Sequence, residues 1–355
     1  MTNQRKRVET NKQRFPTINA TQNLTILTGW AIIFLFASAF LFAEAARSQP
    51  QKPAREQTDS LLNALERKIA ESKFEGVQPQ LISYVKAHPD SWRGHYDLGY
   101  VQFSTHDIAS SIKELSRSLE LNPENAEAHK ILGLDCTIIG RYDLAEVELQ
   151  QAARLMPGSA EIHYFLARAY YTRGVYPLAK TEFETTIRID PDYTKAYSNL
   201  GITLEALGDT EGARLNYLTA VQLSERRKDR SEWPYIYLSA FYNRQRKPSE
   251  ALSHAREALQ LNPKSDSAYF EMAKAYRTQG VLQSAVNAVR NAISINPQMP
   301  DYYYVLGLTL RKLGDEKASE EALTKYAQLT RSSGETGQQP PERSPLEPLG
   351  VPDSR

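Results

Sequence analysis

"SLELNPENAEAHKILG", residues 118–133, returns as "ALQLNPKSDSAYFEMA" at 258–273 and as "AISINPQMPDYYYVLG" at 292–307. In each copy an apolar helical run stops at an Asn-Pro step and a second helical run begins. Proline cannot continue the preceding helix, while its fixed φ suits the first turn of the next one. The step therefore reads as a corner, and its spacing decides the architecture. Prolines stand at 89, 123, 157 and 191, each 34 residues after the last, and again at 263 and 297. The gap from 191 to 263 is two periods plus four residues, an insertion that fits the charged run "SERRKDRSEW" at 224–233.

Between corners the residue types keep register. Ten residues after the proline comes a small residue, as at Gly99, Gly133, Ala167, Gly201 and Gly307, with Leu or Met before it. A second small slot follows twelve residues later, as at Ser111, Ala145, Ala179 and Ser319. Gly140, Gly174, Gly208, Gly280 and Gly314 lie between the two slots, where a left-handed turn would end one helix and open the next. This pattern predicts hairpins of two helices that approach closely at small side chains. Seven units follow: 89–122, 123–156, 157–190, 191–224, 225–262, 263–296 and 297–330.

These slots resemble the tetratricopeptide repeat (TPR), a 34-residue helix-turn-helix unit with the pattern W-x-x-L-G-x-x-Y, then A-x-x-x-F, then P. "HKILGLDC…LAEVELQQA…P" and "YSNLGITL…GARLNYLTA" follow it closely. The resemblance implies an all-α, right-handed superhelical solenoid whose first helices line a concave groove for extended peptides or helices. It implies a non-enzymatic protein-binding scaffold. Residues 57–88 look like a helical hairpin without the signature slots and are expected to cap the N-terminal end.

The chain of 355 residues is 41% hydrophobic and 24% charged, an ordinary soluble composition. Five basic residues against Glu9 give residues 1–23 a charge of +4, which leaves the remainder at −3. A weakly acidic body argues against nucleic acid as a partner. Residues 24–43, "LTILTGWAIIFLFASAFLFA", carry no charge and have the length of a bilayer-spanning helix. The basic flank places 1–23 in the cytoplasm as a tail and the repeats outside it, periplasmic in a bacterium, behind a spacer at 44–56. The alternative is a cleaved signal segment, for which "AEAA" at 43–46 offers a site. The Pro-, Ser-, Gly- and Glu-rich residues 331–355 are expected to be a disordered tail.

The groove candidates lie on the first helices at helical spacing. They are Tyr96, Tyr100 and Phe103 in the first unit and Tyr164, Arg168 and Tyr171 in the third. Lys195 and Asn199 follow in the fourth, Phe270, Lys274 and Arg277 in the sixth, and Tyr304 and Arg311 in the seventh. Aromatics and arginines of this kind favour protein contacts, although the tyrosines would serve equally to pack neighbouring helices. Some TPR domains grip a C-terminal carboxylate with a Lys/Asn clamp. Lys130, Lys195 and Asn199 suit it, but Leu134 and Phe165 stand where its asparagines should be.

His95, His129 and His163 recur every 34 residues, in the slot that later holds Tyr197, Tyr235, Tyr269 and Tyr303. They read as packing residues and not as a metal site, since equivalent helices about 10 Å apart cannot bring nitrogens to about 2 Å from one ion. "SSIK" at 110–113 lacks the companion motifs that give S-x-x-K meaning. The single cysteine, Cys136, is read as a small buried hydrophobe. No metal, cofactor or catalytic residue is expected. The leading reading is a membrane-anchored or exported scaffold for cell-envelope proteins. The alternatives are a self-associating architectural protein, an organelle-membrane receptor with its repeats in the cytosol and, least favoured, the accessory arm of an enzyme such as a glycosyltransferase.

Overall fold

The computed structural model describes residues 60–228 and 230–335, without the side chains of 332–335. The basic tail, the apolar run at 24–43, the spacer and residues 336–355 lie outside the described residues. Among the described residues no helix is long and apolar enough to cross a membrane. The fold is all-α, with sixteen helices in eight hairpins among the described residues.

Helices α1 (Ser60–Ala70) and α2 (Val77–Ala87) form the first hairpin. It is followed by α3 (Trp92–Ser104) with α4 (Ile108–Leu121), then α5 (Ala126–Ile138) with α6 (Tyr142–Leu155). Next come α7 (Ala160–Thr172) with α8 (Tyr176–Ile189), and α9 (Thr194–Ala206) with α10 (Thr210–Arg226). The series closes with α11 (Trp233–Arg244) and α12 (Pro248–Leu261), α13 (Asp266–Gln279) and α14 (Leu282–Ile295), and α15 (Pro300–Leu313) and α16 (Glu316–Glu335). The four-residue insertion is taken up partly by α10, which runs to 17 residues where α8 and α12 have 14. Helix α16 continues five residues beyond Thr330.

Each odd-numbered helix touches the next odd-numbered one, from α1 to α15, whereas among the described residues no two even-numbered helices touch. Each even-numbered helix instead packs between its own partner and the following hairpin. The odd-numbered helices therefore form the tight inner row of the solenoid. Its apolar core is divided. One cluster joins α1, α2 and α3, a long one runs from Phe103 to Ala268, another begins at Phe270 and ends at Ala322, and Ala251, Leu252 and Ala275 bridge α12 and α13 between them.

The corner is built the same way in unit after unit. Ser91, Asn125, Ser159 and Ser265 cap α3, α5, α7 and α13 by accepting a backbone N–H three residues on. His95, His129 and His163 each bridge a glutamate of the second helix at 2.6 Å and the carbonyl of the corner proline at 3.0–3.1 Å. Tyr197 and Tyr303, in the same slot, donate their hydroxyls to Pro191 and Pro297 at 3.1 Å. The slot thus calls for a side chain that can donate to a carbonyl no helix satisfies.

The two helices approach closely at the small slots, as expected, and the first slot also accommodates a larger side chain. A Cβ on Gly99, Gly133, Gly201 or Gly307 would lie 2.7 Å from Leu115, Leu149, Tyr217 or Leu323 respectively. The glycine makes room for a large side chain of the second helix sixteen residues on. The second slot still lies close, since Ser111 and Ser319 donate to the carbonyls of Gly99 and Gly307 at 3.0 and 2.8 Å.

The five turn glycines are all left-handed, with φ between 74° and 85°. His106 and Arg246 take the same turn in the first and fifth units at φ 63° and 55°. A side chain in that region costs roughly 1–2 kcal/mol, offset by roughly 0.5–1 kcal/mol for the entropy glycine loses on folding. Both side chains are exposed. His106→Gly and Arg246→Gly should each stabilise the chain by about 0.5–1 kcal/mol. A drop in the denaturation midpoint would show that the side chains contribute more than the turn costs.

One core position breaks the pattern. Asp135, on α5, is fully buried where the other units place Val101, Ala169, Thr203, Phe241, Ala275 and Thr309. Its Oδ2 lies 2.6 Å from Ser111 Oγ, and burial pushes its carboxyl up to about 7.

Candidate functional site

The inner row borders a cavity of about 760 Å³ that runs from the C-terminal end of α1 and the middle of α3, past the N-terminal ends of α5, α7 and α9, to the start of α11. Tyr96 and Tyr100 of α3 form one wall, with ring centroids 6.5 Å apart. Tyr193 and Trp233 line the other side. Burial, first of all, pushes the Tyr96 and Tyr193 hydroxyls well above the usual phenol range, so both remain neutral donors.

Tyr193 occupies the slot that holds a capping Ser or Asn in other units, and it makes no side-chain cap. Its ring instead lies 5.0 Å from that of Tyr164. The Tyr in a capping slot was the available signal for this residue. Trp233 lines the cavity because the insertion carries the α10–α11 loop to its far end.

The lining is acidic, with six carboxyl groups against the basic residues Lys130, Lys195 and Arg227. Lys130 is 5% exposed, and its Nζ sits 2.7 Å from Glu127 and 2.6 Å from Glu161, joining α5 to α7. Burial alone would lower its pKa, but the two glutamates outweigh that and raise it. Glu66 is held by Arg93 at 2.6 Å. Asp190 and Asp192 lie on the loop before α9, where Asp190 Oδ1 accepts from the Asp192 N–H. Ser198 is 2% exposed, and its Oγ lines the cavity without a hydrogen-bond partner.

Of the groove candidates, Tyr96, Tyr100 and Lys195 line this cavity. Four others belong to the core. Phe103 packs in the long cluster. Tyr164 is buried there and accepts a hydrogen bond from Asn199 Nδ2 at 3.0 Å, so both side chains fill the joint between α7 and α9. Phe270 packs against Tyr302, with the rings tilted and their centroids 4.9 Å apart. Neighbouring inner helices approach closely enough to cover these positions.

The remaining candidates are spread along the row. Arg168 lies over the Tyr164 ring at 5.6 Å and Lys274 over Phe270 at 5.4 Å. Tyr171 is half-buried against Tyr176, and burial pushes its hydroxyl up to about 12. Near it, Arg244 holds Glu205 with two hydrogen bonds, and Glu205 accepts a third from Tyr217 at 2.7 Å. Arg277 and Arg311 lie near the C-terminal ends of α13 and α15, and Tyr304 is exposed. Among the described residues no three metal-ligating side chains converge.

A helical-repeat solenoid with an aromatic and acidic inner groove is the class these features define. Within it, tetratricopeptide-repeat models match residues 96–160 and 270–334, and a second such model matches 140–192. Residues 96–192 and 270–334 therefore carry tetratricopeptide repeats. No match is found among curated proteins.

Among solved structures the chain is similar to one in the APC/C hetero-tetramer Cut9-Hcn1, with a TM-score of 0.60 and 16% identity over 72% of this chain. The match covers about half (49%) of that chain. A tetratricopeptide repeat protein from Parabacteroides merdae ATCC 43184 gives a TM-score of 0.58 and 14% identity, covering 70% of this chain and 97% of that one. At these identities the likeness concerns the fold.

Proposed function

We propose that this protein is a non-enzymatic scaffold that holds a segment of a partner protein in the groove of its inner helices, with the apolar residues 24–43 tying it to a membrane. The observation that carries the reading is the cavity from α1 to α11, which presents partly exposed tyrosine and tryptophan rings beside charged groups. Such rings supply large contact area at small cost in side-chain entropy. The basic flank before residue 24 supports an orientation with the repeats outside the cytoplasm, in a bacterium on the periplasmic side. Cleavage near residue 46 would release the same repeats there.

Site-specific photo-crosslinking of the full chain in its native membranes tests the groove. A crosslinker in place of Lys195, exposed at the cavity, should yield a discrete protein adduct. One in place of Leu144, exposed on α6, should not. Adducts from both positions alike, or from Leu144 alone, would place the contact elsewhere. An adduct of this chain to itself would make it a self-associating architectural protein. A reporter fused to the C-terminus and found in the cytoplasm would reverse the proposed orientation.

A further inference from the structure

We infer that the cavity between α1 and α11 selects a cationic partner, an extended segment that places arginine or lysine side chains among its carboxyl groups. The inference rests on the groove reading above and adds the chemistry of the occupant. Charge comes first. The lining has six carboxyl groups against three basic side chains, and with Arg93 counted beside Glu66 an excess of two carboxyl groups remains. Lys130 engages Glu127 and Glu161, which leaves Asp190 and Asp192 on the loop before α9 as the carboxyl groups best placed for a guest. A positive segment entering there gains attraction that a neutral one does not, and partial enclosure by protein strengthens it relative to open water.

The walls are suited to the same guest. Guanidinium and ammonium groups are drawn to the faces of tyrosine and tryptophan, and Tyr96, Tyr100, Tyr193 and Trp233 border the space. The protein uses this contact internally, with Arg168 over Tyr164 and Lys274 over Phe270.

Ser198 adds a polar group at the same wall. The residue is 98% buried and its Oγ has no hydrogen-bond partner among the described residues, and an unmatched buried hydroxyl costs roughly 1–3 kcal/mol. An N–H from a bound segment would complete it.

Fluorescence anisotropy with the full-length chain in non-ionic detergent tests this. The probes are three labelled twelve-residue peptides that alternate serine with arginine, glutamine or glutamate. The arginine peptide should bind, more weakly as salt is raised, and the glutamate peptide should not. Asp190→Asn with Asp192→Asn should weaken binding about tenfold, and Ser198→Ala by about two- to tenfold. Glu316→Gln with Glu320→Gln on α16, outside the cavity, should leave it unchanged.

Glutamine or glutamate peptides that bind as well, and lose affinity with Tyr100→Ala, would overturn the cationic preference and leave the groove reading standing. Binding that none of the cavity variants alters, or that the α16 pair alters equally, would overturn both. Circular dichroism of each variant separates lost binding from lost fold.

Discussion

Asp135→Asn should abolish a pH dependence of stability expected of the unaltered chain between about pH 4 and pH 7. Ser111 has one hydroxyl proton and two acceptors, the Gly99 carbonyl at 3.0 Å and Asp135 Oδ2 at 2.6 Å. Ser319, in the same slot of the last unit, donates to Gly307 in the same manner with no carboxyl beside it. The Ser111 hydroxyl donates to Asp135 Oδ2 and favours the ionised form, but burial outweighs it and pushes the carboxyl up to about 7.

In the unfolded chain an aspartate releases its proton near pH 3.9. Between the two values the folded state binds a proton that the unfolded state does not, so stability falls as pH rises and levels off above about 7. The loss across that window is on the order of 4 kcal/mol. An asparagine amide donates to Ser111 Oγ at every pH. The variant should match the unaltered chain near pH 4 and exceed it at pH 8, which thermal melts of both proteins across this range would resolve. Parallel curves would refute the assignment.

Gly201→Val should be among the most damaging single substitutions in the solenoid. Its Cβ would meet three ring atoms of Tyr217 at 2.7–2.9 Å. That ring cannot step aside, because it is fully buried and its hydroxyl is fixed on Glu205, itself held by Arg244. Overpacking of this kind costs about 1–3 kcal/mol, and valine adds χ1 restriction within a helix. Adding Tyr217→Ala should recover part of the loss, since Ser239 and Ala255 occupy the corresponding positions of the fifth unit without a large side chain. A melting temperature unchanged by Gly201→Val would mean that the two helices separate freely at this point.

The repeat was legible because proline spacing, turn glycines and the slot before them depend on local backbone requirements. A left-handed φ or a missing N–H leaves its mark on the residue itself. Which side chains reach the groove depends on the neighbouring unit, and one sequence slot shows this. Tyr96, Tyr164, Phe270 and Tyr304 share it, yet Tyr164 and Phe270 are buried and Tyr304 is 45% exposed. Tyr164 is covered by Tyr193 and Phe270 by Tyr302, whereas Tyr304 belongs to the last described hairpin and packs against Tyr326. Asp135 and Trp233 escaped for related reasons. The first is an acid in an apolar slot, and the second reaches the cavity through a loop that the period does not describe.

The long core cluster and the one that follows it meet on a single helix, α13, which carries both Ala268 and Phe270. In a linear array each repeat leans only on its neighbours, so cooperativity is as long as the unbroken stretch of apolar contact. Ala251 and Leu252 of α12 pack with Ala275, Met272 and Tyr276 of α13, and Tyr242 of α11 joins the same group. Loosening of the C-terminal hairpins is therefore felt at α11, whose start forms the far end of the cavity.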